Sequence, residues 1–265
     1  MDTAFRLTST TQSNMAARLT LDALKAGAID AVRQRNALGA RVTKRGTQIG
    51  IARRAAIESA NRRDLLPLLW QSLRAAKDSG VAASIVANSP GAVGLRVGLR
   101  LKGLPASAQI RVAGEGGETE VALLVSETVP QRDADGLYWT PLTSGAGQVI
   151  EIFVPDDAGV SSASALPQAL HVPMVTHFLA TPKSGMGGET VLPLGASGAC
   201  NQDVVCAAQT SGFGNARNAT AHMVYQSGGS GFVCTGTLLN DNDASTQIPY
   251  FYTANHCIGD QNEAA

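Results

Sequence analysis

The sequence predicts a mainly β protein: a helical N-terminal segment, an antiparallel β-sandwich, then the first strands of an incomplete β-barrel. Three observations carry that reading. Between residues 14 and 38, Met15, Leu19, Leu21, Leu24, Ile29, Val32 and Leu38 recur at roughly helical spacing among alanines and charges. From about residue 80 the apolar period shortens to strict alternation. All 4 cysteines fall after residue 199, in a tail of short strand-like runs separated by Gly-rich turns.

Along the chain, Ser13-Asn14 stands where a helix N-cap is wanted, because a side-chain oxygen there accepts an otherwise orphaned backbone N–H. Residues 41–63 are basic and Ala-rich and are expected to form a solvated helix or loop. Without interleaved aromatics they do not read as a nucleic-acid or membrane patch. Residues 1–79 thus make a helical, basic N-terminal region. In 95–102, Leu95, Val97, Leu99 and Leu101 share one face and Arg96, Arg100 and Lys102 the other, which is a half-buried strand. Gly103-Leu-Pro-Ala turns the chain, and strands are expected near 109–112, 120–125 and 148–154. Tyr138-Trp139, before Pro141, fills the core or caps a sheet edge. Residues 80–180 read as the sandwich, and 181–194, rich in Gly, Ser, Pro and Thr, as an exposed linker open to proteolysis. Strands near 221–225, 231–239 and 249–253 then suit the start of a barrel, giving a last unit at 195–265.

Composition sets bounds. Apolar residues make up 44% and the formal net charge is zero, which argues against disorder and against a nucleic-acid binder. Charge is unevenly placed: residues 1–63 hold 12 Lys/Arg against 4 acids, whereas 195–265 hold Arg217 against 5 acids. The two ends are complementary in sign and are compatible with docking on each other. No run reaches the ~18 apolar residues of a membrane span. Clustered Cys200, Cys206, Cys234 and Cys257 point to an oxidising compartment, so an extracellular protein is expected although no export signal stands in these residues. Sequence is therefore expected to be missing at both ends.

The chemistry is concentrated in Cys234-Thr-Gly-Thr-Leu-Leu239 and Thr253-Ala-Asn-His-Cys257. A serine hydroxyl attacks a peptide carbonyl only when a base is held in reach, and histidine titrates in the right range for that task. His256, on a tight corner beside a cysteine, is the candidate general base. His171, His177 and His222 lack partners at ligand spacing and read as structural or exposed. Cys200 and Cys206 have no neighbouring His or Cys cluster, so no metal site and no cofactor is expected.

Taken together and in order, these motifs resemble a bacterial lysyl-endopeptidase-type, trypsin-like serine protease precursor. Gly195-Ala-Ser-Gly-Ala-Cys-Asn-Gln-Asp-Val-Val-Cys206 is similar to the cysteine-bearing start of the mature enzymes, and residues 80–180 more loosely to their β-rich propeptide. The resemblance implies a chymotrypsin-like double β-barrel and His256 as general base. It implies a Cys234–Cys257 bridge, with Cys200 and Cys206 paired to downstream cysteines outside these residues. It further implies protein or peptide substrates, cleavage after Lys, and a pro-region that shields or assists its own catalytic unit, with no nucleic-acid or membrane partner. No Gly-Asp-Ser-Gly-Gly-like loop occurs, and Asp260 reads as a loop residue, so the Asp and Ser of a triad are expected elsewhere and this stretch alone is expected to be inactive. No Ile-Val-Gly-Gly start occurs either. Lys183 is the basic residue of the linker and marks a processing position. The competing reading is a non-catalytic, secreted β-sandwich binding module carrying a vestigial protease segment.

Overall fold

A computed structural model describes residues 16–38, 46–55, 64–74, 79–114, 119–160, 162–181, 212–243 and 245–259. The elements run β1 (Ala17–Thr20), α1 (Ala28–Leu38), β2 (Thr47–Gln48), β3 (Gly50–Arg54), β4 (Leu65–Pro67) and β5 (Gln71–Arg74). Next come β6 (Ser79–Asn88), β7 (Gly94–Arg100), β8 (Gln109–Gly114), β9 (Thr119–Leu124), β10 (Tyr138–Trp139), β11 (Thr143–Ser144), β12 (Gly147–Pro155) and β13 (Ala169–Phe178). The tail holds α2 (Phe213–Ala219), β14 (Thr220–Ser227), β15 (Ser230–Leu239) and β16 (Tyr250–Thr253).

Two 6-stranded sheets form the sandwich. One has the order β1-β6-β12-β8-β9 with β5 also on β6; the other has β10-β7-β13-β3 with β11 on β7 and β4 on β13. Alternation explains the packing. Ile85, Ile110, Val112, Ile150 and Ile152 from the first sheet and Leu95, Val97, Leu99, Leu170 and Val172 from the second share one buried core. The fold is thus mainly β, as the sequence predicts. Tyr138-Trp139 is buried as the edge strand β10, paired with Leu99 and Gly98, and the indole N–H donates to Asp133 at 2.7 Å.

The N-terminal region differs from expectation. Among the described residues its helix runs over Ala28–Leu38, while Ala17–Thr20 is a strand running parallel to Ile85–Asn88. Ala17, Leu19 and Leu21 are buried and Arg18 and Thr20 exposed, so the local period is two, and the Leu19/Leu21 spacing fits that better than a helix. The proposed cap Ser13-Asn14 lies outside the described residues. Within 41–63, a solvated helix or loop is replaced over the described part by β2 and β3. β3 pairs with β13 from Arg54↔Met174 to Gly50↔Phe178.

Buried polar groups sit inside the sandwich, the Arg111–Glu151 pair without a signal in the sequence and His177 in a structural role that the sequence allows. Arg111 on β8 and Glu151 on β12 face each other across the sheet, Nη1 to Oε1 3.1 Å, both fully buried, with the guanidinium 4.3 Å over the Phe153 ring. His177 on β13 lies beside Ser89 and Arg53. Arg53 Nη1 donates to Ser89 Oγ at 2.8 Å, and Ser89 Oγ shares a 2.7 Å hydrogen bond with His177 Nδ1. Burial, then the Arg53 charge, lower the His177 pKa to about 4. Ser89 and His177 are both buried, out of reach of a polypeptide substrate.

A pH dependence follows. The folded-state value, about 4, lies below the unfolded value, so the unfolded chain takes up a proton first on acidification. His177 therefore leaves stability intact above pH ~6.5 and removes up to about 3 kcal/mol as pH falls toward ~4. Urea midpoints at pH 7.0 and 4.5 should show this loss in the wild type and a smaller one in His177→Gln.

Candidate active site

The tail forms a third, open sheet in the order β14-β15-β16, with β2 also pairing with β15. β14 and β15 make a hairpin in register from Thr220↔Thr237 to Ser227↔Ser230, closed by Gly228 and Gly229 at φ 55° and 75°. β16 returns alongside the far end of β15, from Leu239↔Tyr250 to Gly236↔Thr253. The connecting loop is braced by carboxylates. Asp241 accepts from Ile248 N–H at 2.7 Å and Thr246 Oγ1 at 2.9 Å, and Asp243 accepts from Ser245 N–H and Oγ. These bonds hold both acids below the usual carboxylate range. Leu238, Leu239, Tyr250, Phe251 and Tyr252 remain exposed, and among the described residues the sheet does not close into a barrel.

His256 sits at the exit of β16. A tight turn places it there: Cys257 N–H donates to Ala254 O at 2.9 Å, and Thr253 Oγ1 ties the end of β16 to Thr235 O at 2.9 Å. Cys257 is buried and bonded to Cys234 in the middle of β15, across a sequence separation of 23 with Cα atoms 6.1 Å apart. The imidazole is exposed while its backbone is fixed to the adjacent strand. It opens on a cleft of about 440 Å³ lined by Gly46, Thr47, His222, Val233, Cys234, Thr235, Ala254, His256 and Cys257.

A histidine nitrogen and the two sulfurs lie within 4.8 Å of one another, which on distance alone resembles a metal trio. Both sulfurs are in the disulfide, so neither offers a thiolate. Replacing Cys234 and Cys257 by serine should cost about 3 kcal/mol on the loop-entropy scale. The check is the urea midpoint of the double Ser variant against the wild type under oxidising conditions.

The structure brings His256, Cys234 and Cys257 together. Cys200, Cys206, Asp260 and Lys183 lie outside the described residues. His222, read from the sequence as structural or exposed, is exposed. On β14 opposite Thr235 it lines the His256 cleft, a placement set by the hairpin register and by no local pattern. His171 is remote, with Arg100 Nε 3.3 Å from its Nδ1 and Asp64 at 4.0 Å.

The model of the lysyl endopeptidase N-terminal domain matches residues 20–179, and that of the lysyl endopeptidase C-terminal domain matches 194–265. The chain is similar to a lysyl endopeptidase of Pseudomonas aeruginosa, 32% identical over 227 residues that cover 82% of this chain and 45% of the relative. It thus spans less than half of that relative's length. Among the described residues no helix is long and apolar enough to cross a membrane. With both matched regions in sequence order and more than half of its length inside the first, the chain belongs to the lysyl endopeptidase family.

Proposed function

We propose that these residues are the pro-region and the first part of the catalytic unit of a secreted serine endopeptidase precursor, with His256 as its general base. The carrying observation is the placement of His256: exposed on a turn whose backbone is bolted to β15 by the disulfide, and facing an open cleft. A base must be held to within ~0.5 Å of its working position, and this arrangement supplies that rigidity. In the proposed reaction a serine hydroxyl attacks the peptide carbonyl carbon while His256 takes the hydroxyl proton. The same proton then passes to the leaving amine as the C–N bond breaks. Serine, aspartate and oxyanion donors are assigned to polypeptide beyond residues 1–265, and these residues by themselves are proposed to be inactive.

Residues 1–79 and 80–180 form the pro-region, 195–265 the start of a chymotrypsin-like barrel, and 181–194 the processed linker, with Lys183 as the candidate cleavage position. Substrates are proteins or peptides cut after lysine, no cofactor is used, and Cys200 and Cys206 pair downstream. The lysine preference draws its support from the name of the Pseudomonas aeruginosa relative. The test is hydrolysis of a peptide pair differing in Lys or Leu before the scissile bond, by the polypeptide of the full reading frame containing residues 1–265. Cleavage of the Lys peptide supports the proposal. No cleavage of either would favour a non-catalytic β-sandwich binding module.

A further inference from the structure

The ribbon formed by β3 and β13 has two different faces. In its register Ala52 lies opposite Thr176 and Gly50 opposite Phe178, while Arg53 lies opposite Val175 and Ile51 opposite His177. Cross-strand pairs alternate between faces, so the first two pairs share one face and the last two the other. The first face carries the tail hairpin. Thr176 Oγ1 donates to Gly229 O at 2.8 Å, and Gln226 Nε2 donates to Thr176 Oγ1 at 2.6 Å. Phe178 packs with Val224 and Val233 of the hairpin. At Gly231 an added Cβ would collide with the Phe178 ring, so the hairpin backbone lies directly on this face. Between the ribbon and β2, Ile49 N–H donates to Gly231 O at 2.9 Å.

The other face looks into the sandwich and holds a short polar chain. Arg53 Nη2 donates to Asp22 O at 2.6 Å and Nη1 to Ser89 Oγ at 2.8 Å, and Ser89 Oγ shares a 2.7 Å bond with His177 Nδ1. Ser89 follows β6 and Asp22 follows β1, so the chain ties the ribbon to the first sheet. Arg53 is the charge that acts on the imidazole, with Asp22 behind it. Among the described residues the other elements around His177 turn no charge toward it. β7 places Leu95 opposite His177 and Arg96 on the tail side opposite Thr176, and Ser89 N–H donates to Ala146 O just before β12.

This arrangement suits a neutral imidazole and not an imidazolium. A neutral ring has one donor and one acceptor nitrogen, whereas a protonated ring donates from both. Ser89 Oγ would then receive a donor from each side, and two cations would face each other across one oxygen. Ser89 and His177 are both buried, so bulk solvent does not screen the repulsion. A shift of β13 relieves it, and the same strand carries Thr176 and Phe178.

We propose that the Arg53–Ser89–His177 chain is an acid-sensitive latch: a proton taken up from solvent by His177 displaces the β3–β13 ribbon and frees the tail hairpin from the sandwich. The latch operates whether or not His256 is a catalytic base. Burial and then the Arg53 charge lower the His177 pKa to about 4, so the docked state binds this proton less well than an opened one. Docking is therefore complete above pH ~6.5 and weakens as pH falls toward ~4.

Hydrogen exchange on the whole chain tests this, with each rate divided by its intrinsic rate at the same pH. The Ile49 N–H, which donates to Gly231 O, and the Ala52 N–H, which donates to Ser230 Oγ at 3.4 Å, report the contact. Val97 and Ile150 report the sandwich core. Between pH 7.0 and 4.5 Ile49 and Ala52 should lose about tenfold more protection than Val97 and Ile150. His177→Gln should shrink that difference to less than about twofold. Should His177→Gln fail to fold, Arg53→Met decides, because without the opposing cation the difference should drop to less than about threefold. Equal losses at all four amides in the wild type, or a difference that persists in either folded variant, overturn the proposal.

Discussion

Changing His256 to alanine in the full-frame polypeptide is expected to lower kcat for a Lys peptide by about 10⁶-fold, the scale seen when a triad base is removed. KM should stay within a few-fold, because in the proposed reaction the imidazole acts on the serine proton and not on the substrate side chain. Folding should be unaffected. His256 is exposed, and the turn beneath it is held by Cys257 N–H on Ala254 O and by the disulfide, neither of which uses the ring. A matching circular-dichroism melt separates this from a folding defect. His222, on the same cleft, is the control: His222→Ala should change kcat far less, since it is placed on a strand face and not on a disulfide-fixed corner.

The second large effect is on stability. Arg111 and Glu151 are fully buried at 3.1 Å, and Gln109 Oε1 accepts from Arg111 Nη2 at 2.8 Å. Removing one charge leaves the other buried without its counter-ion, at a cost of about 3–5 kcal/mol. Glu151→Ala should therefore lower Tm by roughly 10 °C for a domain of this size. Replacing both, as Arg111→Met with Glu151→Leu, should recover most of that loss, because a well-packed apolar pair needs no solvation. Thermal melts of the two single variants and the double variant form the cycle. A double variant no better than the sum of the singles would contradict the account of the pair.

Much of the sandwich is readable from period alone. Leu95, Val97, Leu99 and Leu101 alternate with charged residues, and each of the four is buried. The expected runs 109–112, 120–125 and 148–154 coincide with β8, β9 and β12 to within a residue or two at their ends. The N-terminal region was less legible for identifiable reasons. Ala-rich composition carries a helix bias, and in the stretch around Ala17–Leu21 that local bias is overridden by pairing with β6, a partner more than 60 residues away. β2 is two residues long and stabilised by Asn36 and β15, so no local pattern announces it. Arg111 and Glu151 look like solvent-facing residues in any alternating run, and only their cross-strand register explains their burial. The corner at His256 was legible because a cysteine, a strand and a small-residue turn stand in a short stretch of sequence. The contact of Gly46 and Thr47 with that corner spans about 200 residues and is set by tertiary structure alone.

Many of the charges behind the complementarity of the two ends, Arg41, Lys44, Arg45, Asp203 and Asp260 among them, lie outside the described residues. The N-terminal residues meet the tail through strand pairing at Thr47-Gln48, the Thr176 hydroxyl and the Ile49–Phe178 apolar cluster. Such contacts are little affected by ionic strength, in contrast to a screened surface attraction.

The most direct measurement is affinity labelling. On the proposed function, a lysyl chloromethyl ketone would carry its lysine side chain into a lysine-selective pocket and bring its alkylating carbon to the base. The full-frame polypeptide would be treated with it and mapped by peptide mass spectrometry. The account predicts one adduct, on the ring of His256, lost when free lysyl substrate is in excess and accompanied by loss of activity. Labelling spread over His171, His177 and His222 as well, or no adduct on His256 in an active enzyme, would contradict His256 as the catalytic base.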